Sequence, residues 1–402
     1  MSSQKPHPQI FHRRVFYIPG YDPFPPRRYR ELYRSEGRAQ AEISGYSVSV
    51  SPKSGQESYG WHVTSLQDGF EIQSEFEVLI WSDIVRNSMA RSIPATYLQL
   101  GRTAWTYIST GTLARLMRLR KGPVIAALYP VAMLLFQLLI AVLVAFAAIA
   151  VLSPIMGSPS YAVGLVLGYG LLLWFRRIDN RLFAYYLMHD YAHSARWLGA
   201  VSPDMNARLV QFSNRVEQAL KTDVDEVLIV GHSSGAHLGV MVLAEVLRNR
   251  TGQGPALSFL TLGQVVPMVS FLPKAHRLRR DLRDVSENHD LTWVDVSAPG
   301  DGCTFALCDP VAVSGVAGPV KQWPLILSAA FTQTLSAEKW KSLRWRFFRL
   351  HFQYLCAFDR PGDYDYFRIT AGPVPLARRY EGRAPSKSRI TRTVSRYTSV
   401  QP

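Results

Sequence analysis

Residues 122–175 contain no Asp, Glu, Lys or Arg. Charged residues make up only 19% of the 402-residue chain, below the roughly 25% usual for soluble domains. That one gap accounts for the shortfall. It excludes an ordinary soluble domain as the reading of the whole chain, and the normal charge elsewhere excludes a polytopic transporter. The remainder is long enough for a globular domain of about 300 residues. Cysteine is scarce too. Cys303, Cys308 and Cys356 are too few, and odd in number, for a secreted disulfide framework. The start, MSSQKPHPQIFHRR, lacks an apolar stretch, so no cleaved secretory signal is expected there. Acid is in short supply against base: 30 Asp and Glu against 45 Lys and Arg, a net charge of +15. Such a balance suits nucleic acid or anionic lipid, and beside an apolar segment lipid is the simpler partner.

The uncharged segment divides at SPIMGSPS, 153–160. Before it, 131–152 carries Gln137 as its one polar residue and is long enough for a spanning helix. After it, 159–175 is just long enough when Pro159 and Ser160 are included. Basic residues flank both ends: Arg115, Arg118, Arg120 and Lys121 on one side, Arg176, Arg177 and Arg181 on the other. The positive-inside bias places both flanks in the cytoplasm. Residues 122–177 therefore read as a transmembrane helical hairpin in a plasma or inner membrane, with both termini and the globular part cytoplasmic. Gly164, Gly168 and Gly170 would let its helices pack closely. The competing reading is a buried core hairpin, but such helices rarely run so long without a polar face.

Around the hairpin the pattern is α/β. Val15–Ile18, 45–52, 57–66 and 70–81 have strand character, with Asp68-Gly69 as a hairpin turn. Helices are expected from about Arg27, over 83–120, and over 179–200 and 204–221, the last capped by Asp204. Apolar, non-alternating strands follow at 224–231, 257–263, 291–297 and 324–331. Strands of that kind separated by helices predict a mostly parallel sheet covered on both faces. Residues 1–12 are expected to be loose. The basic Ser/Pro-rich tail, 373–402, is expected to be disordered.

One motif carries chemistry. Gly231-His232-Ser233-Ser234-Gly235 is a G-x-S-x-G pentapeptide between an apolar strand and a helix, the setting of a nucleophile elbow. The turn is so tight that side chains two residues either side of Ser233 would clash, hence Gly231 and Gly235. The turn lifts Ser233 Oγ above the sheet edge and aims the Ser234 amide at a developing oxyanion.

On these residues the sequence resembles the α/β-hydrolase superfamily, most closely its G-H-S-x-G lipases and esterases, over roughly 13–120 and 180–370. The resemblance implies a second oxyanion donor on a loop after an early strand. Val15-Phe16-Tyr17-Ile18-Pro19-Gly20-Tyr21 fits, with the Tyr21 amide as donor and its hydroxyl available to substrate. It also implies an acid after a later strand and a histidine near the C-terminal end. Asp301 lies just past the strand 291–297, where ligands meet open α/β sheets. Asp295, inside that strand, is the alternative acid. Of ten histidines only His351 follows Asp301, so His351 is the expected base. His232 is adjacent to the nucleophile and aimed elsewhere. His189-Asp190 is a weak metal-phosphohydrolase signature, and Cys303 and Cys308 flank no histidine cluster, so no metal is expected.

The domains are then a flexible 1–12, a hydrolase-like part 13–121, the hairpin 122–177 (131–152 and 159–175), a second hydrolase-like part 178–372, and the tail 373–402. The expected function is a membrane-anchored serine hydrolase cleaving an ester or thioester, with an acyl lipid as one candidate substrate. It would need no cofactor and bind no nucleic acid. Its partners would be the bilayer and the ester. An inactive membrane scaffold and an acyltransferase with the same triad are the alternatives. A channel is disfavoured, because two helices without an ionisable residue offer no polar path.

Overall fold

The structure, a computed structural model, describes residues 10–53, 58–89, 92–179, 184–250 and 252–402. Residues 1–9, most of the expected loose N-terminus, and Arg181 of the basic flank lie outside the described residues. Eight strands form one sheet in the order β2-β3-β4-β1-β5-β6-β7-β8. They are β1 His12–Ile18, β2 Ser47–Pro52, β3 Gly60–Gln67, β4 Phe70–Val78, β5 Glu226–His232, β6 Ala256–Leu262, β7 Thr292–Ser297 and β8 Leu325–Ser328. The first three in sheet order are antiparallel to one another, and β4 to β8 run parallel. Asp68 and Gly69 turn β3 into β4, both at positive φ, as a two-residue hairpin of this twist requires.

The parallel strands are apolar on both sides because both faces are covered. Val227 and Ile229 face one core with the helices α8 Pro203–Ala219 and α9 Gly235–Asn249. Leu228 and Val230 face the other, with Tyr29 and Tyr33 of α1 Arg27–Ser44 and the segment around Tyr354 and Phe367. Strand β1 sits between β4 and β5, so the end of the first strand lies beside the end of β5. Helix α8 is capped by Ser202, whose hydroxyl accepts from the Met205 amide, and not by Asp204, which lies in its first turn.

The uncharged segment forms two helices, α5 Lys121–Met156 and α6 Pro159–Arg177. The 36-residue α5 extends about 54 Å, and it is long and apolar enough to cross a membrane. A Cβ on Gly164 would stand 2.5 Å from Ile149 Cγ1, and one on Gly168 2.9 Å from the Ala141 carbonyl. These two glycines therefore let the helices touch. Gly170 meets open space and plays no such part. The base of α5 is held by α3 Ile93–Ser109, α4 Thr112–Met117 and α7 Ala184–Arg196. The Tyr97 hydroxyl, for example, donates to the Leu134 carbonyl at 2.9 Å.

Residues 10–12, the described part of the expected loose N-terminus, are held in place. Ile10 is buried and its amide donates to Pro373 O at 2.8 Å, while the Phe11 and His12 amides donate to Asp225. The tail 373–402 is a strap and not a disordered segment. The Leu376 amide donates to Glu226 Oε1, Ser386 N to Ile326 O, Ile390 N to Leu307 O and Val394 N to Val313 O. Its composition suggested disorder, but backbone pairing with the sheet and its loops supplies what few apolar side chains could not.

Candidate active site

Ser233 sits between β5 and α9 with φ +56°. That left-handed conformation costs a non-glycine residue on the order of 1–3 kcal/mol and persists only where its surroundings enforce it. They do so here. A Cβ on Gly235 would lie 2.0 Å from the Ile18 carbonyl, and one on Gly231 2.7 Å from the Gly235 carbonyl. The Ser233 amide is pinned to Leu262 O at 2.9 Å. Gly20 is needed for the same reason: its Cβ would stand 2.9 Å from Ser233 Cβ and 3.4 Å from Oγ. The loop after β1 thus lies directly against Ser233.

Asp301 and His351, fifty residues apart in sequence, meet. His351 Nδ1 and Asp301 Oδ2 are 2.7 Å apart, and both side chains are buried. A carboxylate on Nδ1 makes that nitrogen the donor. Nε2 is then the acceptor nitrogen of the ring, and His351 lines the same chamber as Ser233. Asp301 is itself held by the Tyr354 hydroxyl at 3.1 Å and by the Cys303 amide at 2.9 Å. Burial drives the Tyr354 phenol well up, so it stays a donor. Asp295, the alternative acid, is elsewhere. It is fully buried, accepts from Thr261 Oγ1 at 2.6 Å, and is pushed up to about 7 by burial.

His232 has a role that sequence reasoning left open. Its Nε2 lies 3.0 Å from the His351 carbonyl, and its ring lies 4.8 Å from the His351 ring. Only a protonated Nε2 can donate to a carbonyl. Burial, followed by the neighbouring His351, pushes His232 down to about 3, so it remains neutral and holds His351 by the backbone.

Tyr21 lines the chamber, and its carbonyl accepts from the Tyr186 hydroxyl. The hydroxyl expected to meet substrate instead bonds Ser88 Oγ at 2.6 Å, beside a ring contact with Trp81. The reason is packing: the ring fills the core under α2 Ser82–Ser88.

Asp190 on α7, weighed in the sequence only as half of a His-Asp metal signature, belongs to this chamber instead. It is half-buried on the chamber wall and accepts from Ser234 Oγ at 3.4 Å. Burial pushes its carboxyl up to about 7. The partner of the His-Asp pair points away, since His189 Nδ1 contacts its own helix at the Tyr185 carbonyl. The local His-Asp pattern does not point to this position, because the contact with Ser234 comes from the packing of α7 against the β5–α9 turn. The ligand-capable atoms of Asp301, Cys303 and His351 lie within 4.8 Å of one another. The first and third are already joined by the 2.7 Å bond, and burial drives the Cys303 thiol well up. Tyr29, Phe348 and Phe352 complete a chamber of about 70 Å³.

The chain matches no protein-family model, no curated protein and no solved structure.

Proposed function

We propose that the protein is a membrane-anchored serine hydrolase of α/β-hydrolase type, acting on carboxylic esters. The observation that carries this is the 2.7 Å Asp301–His351 bond opening onto the same chamber as Ser233 at its strained turn. The positions support the resemblance: the nucleophile follows β5, the acid follows β7, and the histidine follows β8. In the first step Ser233 Oγ bonds to the ester carbonyl carbon as its proton passes to His351 Nε2. The C–O bond then breaks, and the leaving alcohol takes that proton. Water next gives a proton to Nε2 and attacks the acyl carbon; the bond from that carbon to Ser233 Oγ then breaks, His351 returns the proton to Oγ, and the acid departs. Asp301 stabilises the transient imidazolium. The amides of Ser234, at the α9 N-terminus, and Tyr21 are the donors to the oxyanion.

The anchor is the α5–α6 hairpin. Its apolar side chains face outward; Phe146 is 65% exposed and Ile155 81%. A soluble protein rarely exposes so large an apolar surface. Basic residues flank it at Arg118, Lys121, Arg176 and Arg177, consistent with both ends on the cytoplasmic side.

A fluorophosphonate probe applied to detergent-solubilised protein should label wild type and not Ser233→Ala. Labelling that ignores Ser233 would sink the proposal. Asp301→Ala and His351→Ala should each lower ester turnover by about 10³-fold or more. If the probe labels Ser233 but esters turn over only with an added alcohol acceptor, the acyltransferase reading takes its place. A cysteine introduced in 153–160 should react only with reagent on the side of the membrane opposite the cytoplasm.

A further inference from the structure

We propose that the cavity enclosed by α3, α4, α5 and α7 is the binding site for a long hydrocarbon acyl chain, with Tyr191 as the partition between it and the catalytic chamber. The inference rests on the serine-hydrolase reading for its chemistry but not for its test.

The cavity measures about 120 Å³, larger than the chamber, and Leu100, Leu113, Leu116, Val124 and Met188 are among its walls. Its polar side chains are already satisfied. Thr103 Oγ1 donates to Gln99 O at 2.8 Å, the Tyr107 hydroxyl to Met268 O at 3.0 Å, and the Tyr191 hydroxyl to Pro123 O at 3.3 Å. A peptide or sugar would find no partner for its polar groups and would lose their hydration. A hydrocarbon loses nothing.

The cavity adjoins the catalytic chamber. Tyr191 lines both, and the two flanking helices alternate between them. On α5, Ala126 borders the chamber while Val124 and Leu128 border the cavity; on α7, Leu187 borders one and Met188 the other. The Tyr191 ring stands edge-on to Tyr107 at 6.0 Å. Rotation of that one side chain would join the two spaces. At the other end, Ile108 and Leu128 line the cavity and are themselves exposed, next to exposed Trp105 and Ile125. This apolar rim is continuous with the outward face of α5, so a chain could pass from the bilayer to Ser233 without crossing water. The ester carbonyl would then rest at the elbow with its acyl tail behind Tyr191.

The test uses full-length Ser233→Ala protein in phospholipid nanodiscs with a diazirine-bearing palmitate, mapped by mass spectrometry after illumination. Adducts are expected on Leu113 and the α3 residues facing it. Excess unlabelled palmitate should compete, and Ala104→Trp, which fills the cavity, should abolish them. In protein with Ser233 intact, Ala104→Trp should lower kcat/KM for a palmitate ester by about tenfold or more relative to an acetate ester; retained acetate turnover shows that the variant folds. Adducts confined to the outward faces of α5 and α6, or adducts that Ala104→Trp leaves unchanged, overturn the proposal. Competed cavity adducts with no Ser233-dependent turnover would uphold the chain site and defeat the hydrolase reading instead.

Discussion

Asp190 is the residue whose protonation should shape the pH dependence of this site. Burial holds its carboxyl at about 7 against an ordinary 3.8. Below that pH it is neutral; above it a negative charge stands beside the oxyanion that the proposed attack by Ser233 would create. Ester turnover should therefore fall as pH rises through about 7, and Asp190→Asn should remove that fall. A pH profile of kcat/KM for both proteins checks this, and the idea is lost if the alkaline fall persists in the variant. The same shift has a stability sign. Between pH 3.8 and about 7 the folded protein keeps a proton that the unfolded chain has released, so stability declines as pH rises across that window. Asp295 titrates in the same window, so the two proteins must be compared and not wild type alone. Asp190→Asn should raise the thermal midpoint at pH 8 more than at pH 5. His232 is likewise a positioning residue. His232→Ala should lower kcat with little change in KM, because it holds the backbone of His351 and not the substrate.

Among the elements, the two apolar helices are joined where glycine permits contact. Gly164→Leu forces a side chain against Ile149 and the Ala145 carbonyl and should cost about 1–3 kcal/mol. A Cβ on Gly170 meets no atom within 4 Å, so Gly170→Leu should be neutral. Thermal midpoints of the two variants in one detergent make the comparison, and equal losses would count against the packing. The elbow is tighter still. With the Ile18 carbonyl 2.0 Å from a Cβ on Gly235, Gly235→Ala must move β1 or α9. Probe labelling of Ser233 should disappear with it.

For the molecule as a whole, one buried ion pair ties the two ends of the chain to the central strand. Arg13 Nε meets Glu226 Oε2 at 2.7 Å with both side chains fully buried. Arg13 also donates to Gly372 O at 2.8 Å and Val374 O at 3.2 Å, and Glu226 accepts from Ser258 and from the Leu376 amide. Glu226→Gln leaves the guanidinium without its counter-charge and should cost about 3–5 kcal/mol. Urea denaturation measures it. A loss under about 1 kcal/mol would mean that the strap is held by its backbone bonds alone.

Much of this molecule was legible locally. Strand boundaries followed apolar runs, the elbow followed two glycines that a tight turn demands, and the α5 and α6 helices followed a stretch without charge. Asp301 and His351 followed from their order along the chain. What the sequence could not determine depends on neighbours far away in it. β1 lies beside β5 across some two hundred residues, and that pairing alone brings Gly20 against Ser233. That Asp301, and not Asp295, reaches His351 Nδ1 is a product of the fold. The tail reads as disordered by composition, yet it is ordered because loop carbonyls and Glu226 are placed to receive its amides. Asp190 looks like any helix carboxylate until α7 packs across the elbow. Local sequence specifies backbone shape because shape depends on near neighbours; burial and hydrogen-bond partners depend on what the fold brings up from elsewhere.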